Sequence, residues 1–187
     1  MSLKDHPPRP GHGALRARLS EILRVDHAGE LGAVWIYRGQ RAVFEAGRGR
    51  EAIAGELAEM ERHEADHLKA FDELLLERNV RPTLFAPAWR AAGFAVGAAT
   101  ALMGEKAAHA CTEAVETVIE GHYAGQVEEL EGREPELAGQ LGRFRDDELA
   151  HRDHAREAGA REAPGYPLLA GLIRAGCRVA IKMSEKL

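Results

Sequence analysis

Hydrophobic residues recur every three or four positions along most of the chain, which is the spacing of one face of an α-helix. Over residues 15–46 no proline interrupts this pattern, which includes Leu19, Ile22, Leu23, Ile36 and Val43. The segment GRGR at 47–50 then supplies glycines that end a helix, and a second helix is predicted over residues 51–78, up to NVRPTLFAP. The first half of the chain therefore predicts a long helix hairpin.

The second half of the chain repeats this organisation. Helices are predicted over residues 105–130 and 135–158, with Pro135 in the first turn of the second. Between the two hairpins lies an apolar run of 13 residues at 91–103, well short of the roughly 20 that span a bilayer. Its small residues Gly93, Gly97 and Ala101 are four apart, so another helix or another subunit is expected to approach closely. A last amphipathic helix is predicted over residues 168–184.

This pattern predicts an all-α fold, a four-helix bundle made of two helix hairpins, with a short apolar helix and a C-terminal amphipathic helix added. With 187 residues, one domain is expected, and we assign it residues 19–187. Residues 1–18 contain three prolines and two glycines without the apolar core of a signal peptide, and are predicted to be a disordered lead-in.

Composition and charge narrow the function classes. The net charge of −5 argues against a general nucleic-acid binder, because there is no basic excess to neutralise phosphates. The two cysteines, Cys111 and Cys177, are far apart in the sequence and predict neither a disulfide framework nor a thiolate metal site.

Two Glu-x-x-His motifs carry the candidate chemistry, Glu64 with His67 and Glu148 with His151. One such motif is weak evidence, but each hairpin also places a glutamate upstream, Glu30 and Glu116. Counted from the hairpin turns near residues 48 and 133, the upstream and downstream glutamates lie within about 3 Å of the same height along the helices. Both hairpins therefore bring two glutamates and one histidine to a single level.

Four carboxylates and two imidazoles from four helices are the ligand set of di-iron and di-manganese bundles. The absence of thiolates disfavours structural zinc, and we favour two iron ions. In this interpretation Glu64 and Glu148 bridge the metals, and the terminal ligands are Glu30, Glu116, His67 and His151. The alternative is that all six are solvated helix residues, as Glu and His commonly are.

Longer segments of the sequence resemble those of a known protein family. VDHAGELGAVWIYRGQ (25–40), EADHLKAF (64–71), ACTEAVETVIEGHY (110–123), FRDDELAHRDHA (144–155) and AGCRVAIKMSEKL (175–187) together resemble the demethoxyubiquinone hydroxylase family of ubiquinone biosynthesis. The resemblance implies a ferritin-like di-iron monooxygenase that uses O2 to hydroxylate the ring of a polyprenylated demethoxyquinol at a membrane surface. Its metal ligands fall on the same six residues. Lys182 stands where many members have an aromatic residue.

Other residues are candidates for supporting roles. Asp26, one turn before Glu30, and Asp147, beside Glu148, are candidates to orient a ligand imidazole through its free N–H; the alternative for each is an ordinary surface acid or a helix-capping residue. His122 and Tyr123 follow Glu116 on the same helix, near enough to line a quinone channel, and are the candidate catalytic residues; the alternative is that they are amphipathic boundary residues of the helix. His63 and His154 flank the proposed ligands, and the sequence assigns them no role. No nucleotide-binding glycine motif is present, so electrons are expected from an external reductant, for which NADH is one candidate.

The C-terminal helix is amphipathic, and its composition alone slightly favours a core-packing helix with a solvated cationic face over a membrane-binding helix. The polyprenylated substrate that the resemblance implies favours the membrane, so we expect a peripheral membrane surface here. Leu168, Leu169, Leu172, Ile173 and Val179 share one side, and Arg174, Arg178 and Lys182 form a basic stripe. The expected location is the cytoplasmic face of a bacterial inner membrane, or the matrix side of the mitochondrial inner membrane in a eukaryote. A homo-oligomer and partner proteins of ubiquinone biosynthesis are left open. Two alternatives share parts of this pattern, a ferritin-like ferroxidase or peroxidase and a non-enzymatic helical protein that binds quinone or lipid.

Overall fold

The computed structural model describes residues 12–186, and within them all regular structure is helical. The elements in chain order are α1 (His12–Glu45), α2 (Glu51–Glu77), α3 (Ala86–Leu102), α4 (Glu105–Leu130), α5 (Pro135–Glu157), a 3₁₀ turn (Ala160–Glu162) and α6 (Tyr166–Ser184). The prediction of an all-α bundle with an apolar helix and a C-terminal helix is confirmed. Helix α1 already begins at His12, so residues 12–18 of the predicted lead-in are helical, and residues 1–11 lie outside the described part.

Two hairpins form the bundle, α1 with α2 and α4 with α5. Their shared core at one end is apolar, with side chains from all four helices: Leu19, Ile22 and Leu23 of α1, Phe71 and Leu75 of α2, Tyr123 and Leu130 of α4, and Leu137 and Leu141 of α5. A second core, which includes Tyr37, Phe44, Leu57 and Met60, fills the opposite end. The two apolar cores leave a polar layer between them, where the predicted ligands lie.

Helix α3 packs against α1 at very short range, as its small-residue pattern predicted. A Cβ atom added to Gly93 would lie 2.7 Å from the backbone oxygen of Gly32, and one added to Gly97 would overlap the backbone of Ile36. Helix α1 contributes Gly39, where a Cβ atom would overlap the backbone of Phe94. Only glycine permits this contact, and the partner is another helix of the same chain.

Glu113, a buried acid of α4, contacts side chains of both α5 and α6. Its carboxylate accepts hydrogen bonds from Arg156 Nε at 3.0 Å and from the Tyr166 hydroxyl at 2.6 Å. Although burial alone raises the pKa of this carboxyl group, these two donors bring the pKa of Glu113 below its ordinary value. Arg174 lies 3.9 Å from the same carboxylate, so this member of the predicted basic stripe is turned partly toward the protein, and Arg178 and Lys182 are exposed.

Helices α3 and α6 expose apolar side chains to solvent. They are Phe94, Val96 and Leu102 on α3, Met103 directly after it, and Leu168, Leu172, Val179 and Met183 on α6. Leu102 and Leu168 are 77% and 70% exposed, against the tendency of large aliphatic residues to be buried. Among the described residues, every helix is too short or too polar to cross a bilayer.

Candidate metal centre

The structure brings all six predicted ligands together in the middle of the bundle. Glu30, Glu64, His67 and Glu148 form one group in which the ligand atoms lie within 4.8 Å of one another, and Glu64, Glu116, Glu148 and His151 form a second. Glu64 and Glu148 belong to both groups, which is the position expected of residues that bridge two ions. The six side chains are all buried, so the alternative that they are solvated helix residues is wrong.

The two histidines direct one nitrogen each into the carboxylates. His67 Nδ1 lies 3.2 Å from Glu148 Oε1 and 3.6 Å from Glu30 Oε2. His151 Nδ1 lies 3.0 Å from Glu64 Oε1 and 3.5 Å from Glu148 Oε2. Glu and His three residues apart on one helix face each other across one turn, which explains how each motif supplies two donors to a common centre.

Within the described residues, the donor atoms that face this centre make no hydrogen bond of good geometry. The atoms are Glu30 Oε2, both carboxylate oxygens of Glu64 and Glu148, Glu116 Oε2, His67 Nδ1 and His151 Nδ1. Buried polar atoms are nearly always satisfied, and eight convergent exceptions require an explanation. Oxygen donors with imidazole nitrogen are ligands that suit iron or manganese. These clusters can therefore hold metal ions.

Burial and neighbouring charges shift the pKa values of the four carboxyl groups. Burial, and then the charge of Glu148, raise the pKa values of Glu64 and Glu116 well above their ordinary value. Burial also raises the pKa of Glu30. Glu148 differs because, against the effect of burial, contacts with His151 and His67 lower its pKa to about 2. The same contacts overcome the burial of His67 and raise its pKa to about 11.

The remaining atoms of the ligands are held by neighbouring side chains. Tyr37 donates a hydrogen bond to Glu116 Oε1 at 2.8 Å, and the Tyr123 hydroxyl donates to Glu30 Oε1. Asp147 Oδ2 lies 3.2 Å from His67 Nε2, as predicted for a residue that orients this imidazole. The sequence-based interpretation missed Tyr37, although it lies two turns after Glu30 on the same helix.

His63 is also part of this layer, although the sequence assigned it no role. Its Nδ1 lies 3.3 Å from His151 Nε2, and the two rings stack with centroids 5.6 Å apart and planes 13° from parallel. His151 therefore has a neighbour on its free nitrogen, as His67 has Asp147. The signal in the sequence was the spacing of four residues between His63 and His67.

Asp26 and His122 form a separate contact. Gln126 donates a hydrogen bond to Asp26 Oδ1 at 2.8 Å, and His122 Nε2 lies 3.5 Å from the same oxygen. Asp26 thus contacts His122 and not a ligand imidazole, so that expectation is wrong. Burial raises the pKa of Asp26, against the opposing effect of His122.

An apolar groove of about 430 Å³ opens between α1, α3, α4 and α6. Its lining includes Val25, Gly29, Ile36, Trp89, Val115, Ile119, Leu172, Ile173, Cys177 and Ile181. Gly29 and Val115 are the chain neighbours of Glu30 and Glu116, so the groove runs beside the metal-ligand layer. His122 and Tyr123 are not among its lining residues, so the expectation that they line a quinone channel is not met by this groove.

Because the carboxyl group of Glu116 is buried, replacing it with a neutral amide is expected to stabilise the metal-free protein. In metal-free protein, Glu116→Gln is expected to raise the free energy of unfolding by about 1–3 kcal/mol, the range for relieving one poorly satisfied buried group. The folded-state pKa of Glu116 lies above the ordinary 4.5, so ionisation destabilises the wild type as pH rises. The advantage of Glu116→Gln should therefore increase from pH 5 to pH 8 in urea titrations.

The exposed Glu128 on the same helix provides the control, because Glu128→Gln removes a charge without relieving burial. Equal effects of the two substitutions, or a less stable Glu116→Gln protein at pH 8, would contradict the electrostatic description.

Comparisons with known proteins identify the family of this chain. Residues 17–184 match the family described as "Ubiquinone biosynthesis protein COQ7". The 3-demethoxyubiquinol 3-hydroxylase of Rhodospirillum rubrum is 50% identical over 177 residues, which cover 95% of this chain and 82% of that protein. The human NADPH-dependent 3-demethoxyubiquinone 3-hydroxylase, mitochondrial, is 47% identical over 92% of this chain and 79% of its own length. The 5-demethoxyubiquinone hydroxylase, mitochondrial, of Saccharomyces cerevisiae is 39% identical over 97% of this chain and 87% of its own.

The matched range covers nearly all of the described helices and contains the six buried residues that are predicted to bind metal. The chain therefore belongs to the Ubiquinone biosynthesis protein COQ7 family.

Proposed function

We propose that this protein is an O2-dependent di-iron monooxygenase that hydroxylates the ring of a polyprenylated demethoxyubiquinol in ubiquinone biosynthesis. The relatives named as hydroxylases of demethoxyubiquinol or demethoxyubiquinone support the reaction class. The observation that carries the metal assignment is the convergence of eight unpartnered donor atoms from four helices. A solvated or purely structural cluster would leave those atoms without an explanation.

The ligand assignment follows from which residues the two groups share. Glu30 and His67 would hold one iron, Glu116 and His151 the other, and Glu64 and Glu148 would bridge both. Bound iron would supply the activation of O2 for attack by the electron-rich ring. Tyr37 and Tyr123 hold the outer oxygens of Glu116 and Glu30, which fixes the free oxygens toward the centre. A catalytic role for His122, or for Tyr123 beyond its contact with Glu30, stays a prediction.

The groove supports a quinol as the substrate. Its lining is almost entirely apolar and includes Gly29 and Val115, the chain neighbours of Glu30 and Glu116. A quinol ring bound in the groove would therefore lie next to the layer of predicted ligands. Helices α3 and α6 line part of the groove, and the same two helices carry the exposed apolar side chains described above. A polyprenyl tail could extend from the groove along these helices into lipid. This feature favours the hydroxylase over a ferroxidase or peroxidase, which needs no apolar groove.

The same two helices would form the membrane contact. Apolar side chains at Leu168 and Val179, next to the exposed cations Arg178 and Lys182, suit an anionic bilayer surface. The human and yeast relatives are named as mitochondrial; for a bacterial chain the corresponding location is the cytoplasmic face of the inner membrane. Because the human relative is named NADPH-dependent, a reduced nicotinamide, NADH or NADPH, is the reductant that we propose. Partner proteins of ubiquinone biosynthesis belong to the same hypothesis.

Oxygen labelling tests the reaction. Protein loaded with ferrous iron, incubated with a short-tailed demethoxyquinol, NADH and ¹⁸O2, is expected to give a product with one labelled oxygen on its ring by mass spectrometry, while the second oxygen atom leaves as water. Glu148→Gln removes a bridging carboxylate and should lower the labelled product by at least about 100-fold. The exposed Glu128→Gln should retain wild-type labelling.

Unlabelled quinone from wild-type protein that holds two irons would overturn the hydroxylase proposal in favour of a ferroxidase or peroxidase. Wild-type protein that binds the quinol without binding iron would instead indicate a non-enzymatic carrier.

Vesicle sedimentation tests the membrane surface. Leu168→Gln with Val179→Gln removes two exposed apolar side chains that do not line the groove. Each fully buried aliphatic side chain contributes about 1.5–3 kcal/mol, so partitioning onto anionic vesicles should fall at least about tenfold. Ala52→Gln with Ala65→Gln on the exposed face of α2 is the matched control. Equal partitioning of both double variants would refute the assignment of this surface.

A further inference from the structure

Three arginines converge on the buried carboxylate of Glu113, at the end of the bundle where α5 ends and α6 begins. Arg156 belongs to the last turn of α5, Arg161 to the 3₁₀ turn and Arg174 to α6. We propose that Arg161 and Arg174 bind the phosphate group of an anionic phospholipid, which makes this arginine cluster a headgroup site. The inference deepens the membrane contact proposed above and rests on it.

Two of the three arginines are not needed to satisfy Glu113. Its carboxylate already accepts hydrogen bonds from Arg156 and Tyr166, at 3.0 and 2.6 Å. Arg161 Nη2 and Arg174 Nη1 lie 3.6 and 3.9 Å from the same carboxylate, which is too long for a hydrogen bond. Within the described residues these two guanidinium groups make no other ion pair, so their donors are free for a ligand. One carboxylate therefore faces three positive charges.

The acids of this region do not cancel the excess positive charge. Residues 156–178 contain four arginines and two glutamates, in a chain whose net charge is −5. Of those glutamates, Glu162 is paired with a lysine of α4. Asp153 lies 3.2 Å from Arg156 but is also paired with Arg152, at 2.9 Å. The arginine cluster is therefore a positive patch on an acidic protein, and it favours an anion.

The backbone that carries Arg161 is held in place by packing. The 3₁₀ turn lies between Gly159 and Gly165, and its Ala160 and Ala163 are buried against two alanines of α4. The Arg161 side chain is nevertheless 62% exposed. A phosphate can therefore reach a guanidinium group on a fixed backbone, which lowers the cost of ordering the site. The planar fork of arginine donors matches two oxygens of one phosphate.

The position of the arginine cluster favours a lipid as the source of the phosphate. Arg174, which contacts α4, begins the basic stripe that continues through the exposed Arg178 and Lys182. On the same helix, Leu168 and Leu172 are 70% and 65% exposed. A helix at a bilayer surface inserts its apolar side about 5–10 Å into the boundary between headgroups and acyl chains. The basic side that flanks it then lies at the level of the lipid phosphates.

Vesicle sedimentation tests the headgroup site. The two vesicle types contain phosphatidylcholine alone or phosphatidylcholine with phosphatidylglycerol. Arg161→Gln with Arg174→Gln should bind the phosphatidylglycerol vesicles at least about tenfold more weakly than wild type, because two basic contacts with anionic lipid are lost. Binding to phosphatidylcholine alone should be unchanged. Arg48→Gln with Lys69→Gln removes the same charge from exposed positions outside α6 and should bind both vesicle types as wild type does.

A second variant separates a phosphate site from diffuse attraction. Arg161→Lys with Arg174→Lys keeps both charges but removes the planar forks, so it should still bind phosphatidylglycerol vesicles at least about fivefold more weakly than wild type. Binding equal to wild type by this lysine variant would overturn the site, as would an equal loss in the charge-matched control. Glu113 keeps Arg156 and Tyr166 in every variant, and circular dichroism checks that the helices are intact.

Two further outcomes identify the source of the phosphate and the fate of the membrane proposal. If inorganic pyrophosphate binds wild type without vesicles, and the glutamine variant loses this binding but keeps its binding to phosphatidylglycerol vesicles, the lipid assignment is wrong. If Leu168→Gln with Val179→Gln weakens binding to both vesicle types and the arginine variants do not, the headgroup site fails and the membrane surface stands. Wild type that binds neither vesicle type would refute both.

Discussion

Four glutamates enclosed between two apolar cores are the constraint on which the rest of this bundle depends. Carboxylates removed from water repel one another, and each carries a penalty of several kcal/mol unless charge or hydrogen bonds compensate it. His67 and His151 provide part of the compensation, through their contacts with Glu148. The oxygens left unpartnered by protein all face one centre, where two divalent cations would provide the rest.

Helix α1 connects this centre to the rest of the structure. It supplies Glu30 to the polar layer, packs its glycine-containing face against α3, and lines one side of the apolar groove. The close approach at Gly93 and Gly97 is therefore more than a packing detail, because it sets the separation of α1 and α3 where the groove passes Glu30. A change in this helix pair would alter the groove and the ligand layer together.

The sequence predicted the helices and the six central residues because both follow from periodicity. Helix bounds come from the apolar pattern and its glycine and proline breaks, and the level of each glutamate follows from counting residues along a hairpin. Contacts between helices that are not neighbours in the sequence depend on helix rotation, which counting does not determine. For this reason the roles of His63 and Tyr37 were missed, and Asp26 was wrongly placed beside a ligand.

A group of three side chains at one end of the bundle illustrates the same limit. Glu56, His109 and His154 belong to three helices and to no motif, so only the folded arrangement brings them together. The exposure of the apolar side chains of α6 was also hard to predict, because an amphipathic sequence is expected whether the apolar side of the helix faces a core or lipid. The structure resolves this in part, with Ile173 against the groove and Leu168 exposed.

Anomalous X-ray diffraction at the iron absorption edge, from crystals of iron-loaded protein, would show directly whether the six central side chains hold two iron ions. A di-iron centre at these residues would give two strong peaks about 3.5–4 Å apart, with Glu64 and Glu148 between them and one histidine beside each. A single peak, or iron located away from these six side chains, would contradict it.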